Sequence, residues 1–118
     1  MAKWKSLNRV KVALYNSIRE AGKRAERKGI LFDLPEGSAS ILLDRSGGVC
    51  ALSGLPFRPT EIKGQPGPYS ASLDRIRPEG GYTLDNVRLI LNGLNALKGT
   101  STDEEVLEIC RAVVEKNT

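Results

Sequence analysis

The chain has 118 residues, a formal net charge of +4, two cysteines and no histidine. That length suits one domain with a modest core. It holds no run of about 18 apolar residues to span a bilayer, and no apolar signal core follows Met1, so a soluble, cytoplasmic protein is expected. Cys50 and Cys110 stand far apart without a C-x-x-C pair, which argues against structural zinc and favours two reduced thiols over a disulfide.

Leu7, Val10, Leu14, Ile18, Ala21 and Ala25 recur at three- and four-residue steps, so residues 5–28 read as one amphipathic helix stopped by Gly29. Residues 1–28 hold nine Lys/Arg against Glu20 and Glu26, while the remainder holds nine against twelve acids. Such a cationic front is the footprint of a phosphate-binding surface, or else a solvated helix face. Lys11, Arg19, Lys23, Arg24, Arg27 and Lys28 are its candidate contacts.

Ile30 to Leu34 is an apolar run that should pack this helix onto the rest. Pro35-Glu36 opens a second, shorter helix through Leu43 and Arg45, closed by Gly47-Gly48. Cys50 to Phe57, with the turn formers up to Pro68, should be irregular or a loose hairpin with a flexible tip near Gly64. Trp4 and Phe57 are expected as packing residues.

Ala71 to Ile76 alternates as a strand, Arg77-Pro78-Glu79-Gly80-Gly81 is a turn, and Val87 to Ile90 returns antiparallel. Leu91, Leu94 and Leu97 mark a helix ended by Gly99. Ser101 and Glu104 have capping-box spacing, and Val106, Ile109, Cys110, Val113 and Val114 supply the apolar face of a last helix. The fold class expected is α+β and mostly helical, in one domain: a basic helix over 1–29, a core over 50–99 and a C-terminal helix over 101–117.

The stretch Ser-Leu-Asp-Arg-Ile at 72–76, then Gly81-Tyr82-Thr83, Asp85-Asn86-Val87 and Asn95 with Lys98, resembles the HNH endonucleases of the ββα-metal superfamily, in particular small phage and prophage members. Arg24, Ala25, Arg27, Gly29, Phe32, Leu34 and Cys50 to Phe57 resemble the lead-in of the same proteins. The resemblance implies a ββα-metal core in which Asp74 and Asn95 bind one Mg²⁺ or Mn²⁺ and Asn86 orders the loop. It also implies DNA as partner, nicking or cutting with low sequence preference, and a phage-infected or lysogenic bacterial host. Catalytic candidates are therefore Asp74, Arg75, Asn86 and Asn95.

Arg75 stands where that family carries its histidine base, and a guanidinium stays protonated at neutral pH. It would instead engage the scissile phosphate. Arg77, Arg88 and Lys98 complete the set of candidate backbone contacts, Lys98 being equally suited to a helix C-terminus. The missing base leaves an alternative, a catalytically degenerate HNH fold that binds DNA or protein. A third reading is an interaction protein that uses its acidic C-terminal half. Monomer and homodimer both remain open, as do further phage proteins as partners.

Overall fold

The computed structural model describes the backbone of residues 2–59 and 66–118, with side chains from Asn8 onward. The tip expected near Gly64 and the packing roles expected of Trp4 and Leu7 lie outside the described residues. The fold is α+β, with four helices and two two-stranded sheets among the described residues.

Helix α1 runs Ala2–Lys28. Its apolar stripe is buried as the periodicity requires, with Val10, Leu14, Ala21 and Ala25 all within the core. Gly29 stops it at φ +66°. The Ile30 amide then bonds the Ala25 carbonyl at 2.9 Å and the Gly29 amide bonds that of Glu26 at 3.3 Å, which satisfies two carbonyls of the last turn. Strand β1, Phe32–Asp33, follows. Phe32 lies on Gly22, where an added Cβ would come within 3.3 Å of the ring, so the chain packs back onto α1 as expected.

Helix α2, Ser38–Ser46, begins two residues beyond the expected Pro35-Glu36 opening, because Gly37 takes the left-handed N-cap position. Gly47 ends it as anticipated, at φ +65°. Residues 50–57 are irregular apart from a Val49–Pro56 bridge, and Phe57 is buried. Cys50 is buried and unbridged, and its Sγ accepts the Leu91 and Ser53 amides, each at 3.3 Å. Cys110 is also free.

Strand β2, Ala71–Arg75, pairs antiparallel with β4, Val87–Leu91, in a register that sets Asp74 opposite Arg88 and Ser72 opposite Ile90. Between them the two-residue strand β3, Tyr82–Thr83, pairs parallel with β1, a ladder too short to leave a periodic trace in sequence. Leu91 belongs to β4, and helix α3, Asn92–Lys98, follows without a break. The order strand, loop, strand, helix matches expectation. Helix α1 packs on β2, and α3 packs on both β2 and β4.

Helix α4, Asp103–Lys116, departs from expectation in two ways. Its capping box is Thr102 with Glu105, one residue beyond Ser101 and Glu104. Of its expected apolar face only Val106 is buried, while Ile109, Val113 and Val114 are 47%, 56% and 59% exposed.

Candidate functional site

Successive side chains of β2 alternate between its faces, so Ser72 and Asp74 share one face. Helix α3 covers that face: the Asn95 amide nitrogen donates to Ser72 Oγ at 2.7 Å and to the Leu73 carbonyl at 3.1 Å. Asn95 is thereby held against the two residues that precede Asp74. Lys98, three residues further along the same helix, reaches Asp74 itself, with Nζ 3.1 Å from Oδ2 and 3.3 Å from Oδ1.

The Asp74 carboxylate has a second cation. Arg88, its cross-strand partner, donates Nε to Oδ2 at 2.9 Å. Both cations also reach Asp103 on the first turn of α4, with Arg88 NH2 at 2.8 Å and Lys98 Nζ at 3.3 Å from its Oδ1. Two carboxylates and two cations, one from each of β2, β4, α3 and α4, form a closed, neutral cluster. Burial opposes the charge on Arg88, but its hydrogen bonds to Asp103 and Asp74 outweigh that effect and raise its pKa. The Arg88 hydrogen bond lowers the pKa of Asp103 in turn.

Lys98 is 6% exposed and Arg88 is ion-paired on two sides. Lys98 is thus buried and Arg88 partly buried, and both are engaged with Asp74 and Asp103. Asp103 was not foreseen in this site; its only sequence signal is its position as first helical residue after Thr102, where a carboxylate is favoured anyway.

Asn86 is 1% exposed and does what a loop-ordering asparagine must do. Its Nδ2 donates to the carbonyls of Arg77 at 3.1 Å and Gly81 at 2.8 Å, and its Oδ1 accepts the Arg77 amide at 3.0 Å. Gly80 is required beside it, since a Cβ there would fall 2.6 Å from Nδ2. Arg75 ties down the same turn from the other side. One of its terminal nitrogens donates to the carbonyls of Pro78 at 2.9 Å and Gly80 at 3.0 Å, and its guanidinium lies 5.1 Å from the centre of the Tyr82 ring. Its observed contacts brace the loop.

The remaining cationic candidates, Lys11, Arg19, Lys23, Arg24, Arg27, Lys28 and Arg77, are all exposed. Lys11, Arg19, Lys23 and Arg27 fall in one four-residue row along α1, roughly 24 Å long at 1.5 Å per residue, which winds about 40° around the helix at each step. Tyr15, 57% exposed, fills the remaining step of that row. The aromatic was missed in sequence because it sits beside the apolar stripe. Its spacing of four from Lys11 and from Arg19 is the signal that finds it. A second aromatic and cation pair lies elsewhere on the surface, with Arg58 stacked 3.8 Å from the centre of the Tyr69 ring.

Searches against family models, curated proteins and solved structures return no match. What this site can hold therefore rests on its own donors. A divalent ion needs oxygen ligands with uncompensated negative charge. Asp74 is already neutralised by two cations, and Asn95 turns its amide nitrogen to the strand. Among the described residues no group of three His, Cys, Asp or Glu converges, and no buried side-chain oxygen or nitrogen lacks a hydrogen-bond partner. An ion between Asp74 and Asn95 would have to displace Lys98 from a buried carboxylate, so the residues as arranged do not fit it.

Proposed function

We propose that this chain is an HNH-like ββα scaffold that binds the DNA backbone without cutting it, the Lys98 ammonium and Arg88 guanidinium standing where a divalent cation would otherwise sit. The observation that carries the binding is the exposed row Lys11, Tyr15, Arg19, Lys23 and Arg27 on α1. Arg19, Lys23 and Arg27 lie within about 80° of one another around the helix and can neutralise neighbouring phosphates of one duplex, while an exposed tyrosine packs on a sugar or base. Phosphate contacts carry little sequence information, so preference among sequences is low.

Two features support the loss of cutting. The whole sequence contains no histidine, so nothing of the usual base is present. Asp74 and Asp103 are both ion-paired with Lys98 and Arg88, so the cluster as a whole is neutral. The opposing reading, a metal-dependent nickase, draws on one observation, that Asn95 is held against the strand beside Asp74.

Fluorescence anisotropy with a labelled duplex tests the binding. With four to six phosphate contacts, log K against log salt should fall with a slope of about −4 to −5. Affinity should need no divalent ion and should be no higher in Mg²⁺ than in chelator at the same monovalent salt, because Mg²⁺ competes for the phosphates. A flat salt response, or binding that needs a divalent ion, contradicts the reading.

A further inference from the structure

Tyr15 is the tyrosine whose ring is left bare. Tyr69 lies under the Arg58 guanidinium at 3.8 Å, and Tyr82 packs on Phe32 at 5.7 Å with the Arg75 guanidinium 5.1 Å from its centre. Tyr15 has no such partner among the described residues, makes no hydrogen bond there, and is 57% exposed. Val12, one turn earlier on the same side of α1, is 53% exposed. Residues three apart on a helix are neighbours, so the two form one apolar shelf facing solvent.

The charges around that shelf say what lies on it. At about 100° per residue, an arc of about 100° around α1 holds Val12, Tyr15 and Asn16 in its first half and Arg19 and Lys23 in its second, with Arg27 just past its edge. Glu26, the acid in that arc, stands roughly 16 Å along the axis from Tyr15, whereas Arg19 is about 6 Å away. A ligand seated on the shelf is therefore flat and apolar, and carries negative charge one turn further on. A nucleotide of a DNA strand has that form, with its base for the ring and its phosphates for Arg19 and Lys23. Inside an intact duplex both faces of a base are covered by its neighbours, so the ring meets a base face only where the strand is unpaired.

We propose that Tyr15, with Val12 beside it, stacks on an unpaired base of a DNA strand whose phosphates run along Arg19, Lys23 and Arg27, so that the chain prefers DNA with a single-stranded stretch to an intact duplex. This rests on the reading of α1 as the DNA-binding face and adds to it the structure of the DNA that is bound best. Every base has a flat face, so the preference is for the unpaired state and not for a sequence.

Fluorescence anisotropy in chelator compares three labelled ligands: an intact duplex, that duplex with a short single-stranded overhang, and the same overhang built of abasic sites, which keeps every phosphate and removes the bases. The base-bearing overhang should bind about fivefold tighter than the abasic one, or more, and tighter than the intact duplex. Tyr15→Ala should erase that ratio without changing the salt slope or the circular dichroism, and Tyr15→Phe should keep it. Arg19→Gln should weaken both overhangs alike. Equal affinity for the two overhangs, a ratio that survives Tyr15→Ala, or a ratio lost with Tyr15→Phe overturns the proposal while leaving DNA binding in place. Absence of salt-dependent binding to all three ligands overturns the DNA reading itself, and the proposal with it.

Discussion

Lys98 places its ammonium 3.1 Å from the Asp74 carboxylate, with the two side chains 6% and 9% exposed. A pair so buried contributes little net stability compared with an apolar pair, but removing one member leaves an uncompensated charge. Lys98→Met should therefore cost about 3 kcal/mol in urea unfolding, and Asp74→Asn added to it should recover part of that loss. Strictly additive costs in the double variant would mean that the two groups do not act as a pair.

Asn86 should be the most sensitive polar residue of the 77–81 turn. Asn86→Ala breaks three buried hydrogen bonds, with an expected cost of about 2–4 kcal/mol. Asn86→Asp should be no better, because it aims a carboxylate oxygen at the carbonyls of Arg77 and Gly81, now bonded by Nδ2. Gly80→Ala should destabilise as well, since its Cβ meets Nδ2 at 2.6 Å. Thermal unfolding of the three variants checks this, and a neutral Asn86→Asp would contradict the assignment.

Acid should loosen α4 through Asp103. Its pKa is depressed from the ordinary 3.8 by the hydrogen bond from Arg88, so the unfolded chain takes up the proton first as pH falls. The resulting stability is fully present above about pH 4, declines below it, and is gone once pH passes beneath the folded value. Asp103→Asn should lower stability at neutral pH and remove that part of the acid dependence. Urea midpoints between about pH 2 and 6 give the comparison, and parallel curves for the two proteins would rule the contribution out.

The row on α1 and the buried cluster should separate cleanly in their effects. Arg19→Gln, Lys23→Gln and Arg27→Gln should each reduce the salt slope of DNA binding by about 1 and shift stability by less than about 0.5 kcal/mol. Lys98→Gln should do the reverse, destabilising the protein without altering the slope. A salt slope that responds to Lys98 and ignores α1 would move the interface to the strand end.

The helix α1 and the β2–β4 hairpin were legible because burial of one face repeats in the sequence at 3.6 or 2 residues, and Gly29, Gly47 and Gly99 mark real stops at positive φ. The overlapping capping signals were not separable. Ser101 with Glu104 and Thr102 with Glu105 have the same spacing, and the second is used, which delivers Asp103 to Arg88 and Lys98. Asn86 as a loop brace was implied by the family resemblance, not by its position alone. The pairing of Asp74 was not, because it needs the strand register that brings Arg88 opposite and the helix turn that returns Lys98. For the same reason Arg75, Arg88 and Lys98 read in sequence only as cations for a phosphate, and their hydrogen bonds to oxygens of the fold itself were not visible. The apolar pattern of α4 was plain, but a pattern does not state what covers it.

The central claim is that Asp74 is neutralised from within, so the scaffold holds DNA and leaves it whole. Supercoiled plasmid incubated with pure protein in Mg²⁺, in Mn²⁺ and in chelator, then resolved on a gel before and after protein removal, tests it most directly. The expected result is retardation that needs neither metal and is strongest in chelator at low salt, with the plasmid recovered supercoiled in all three conditions. Open circles that appear with either metal, vanish in chelator and are abolished by Asp74→Ala would contradict it.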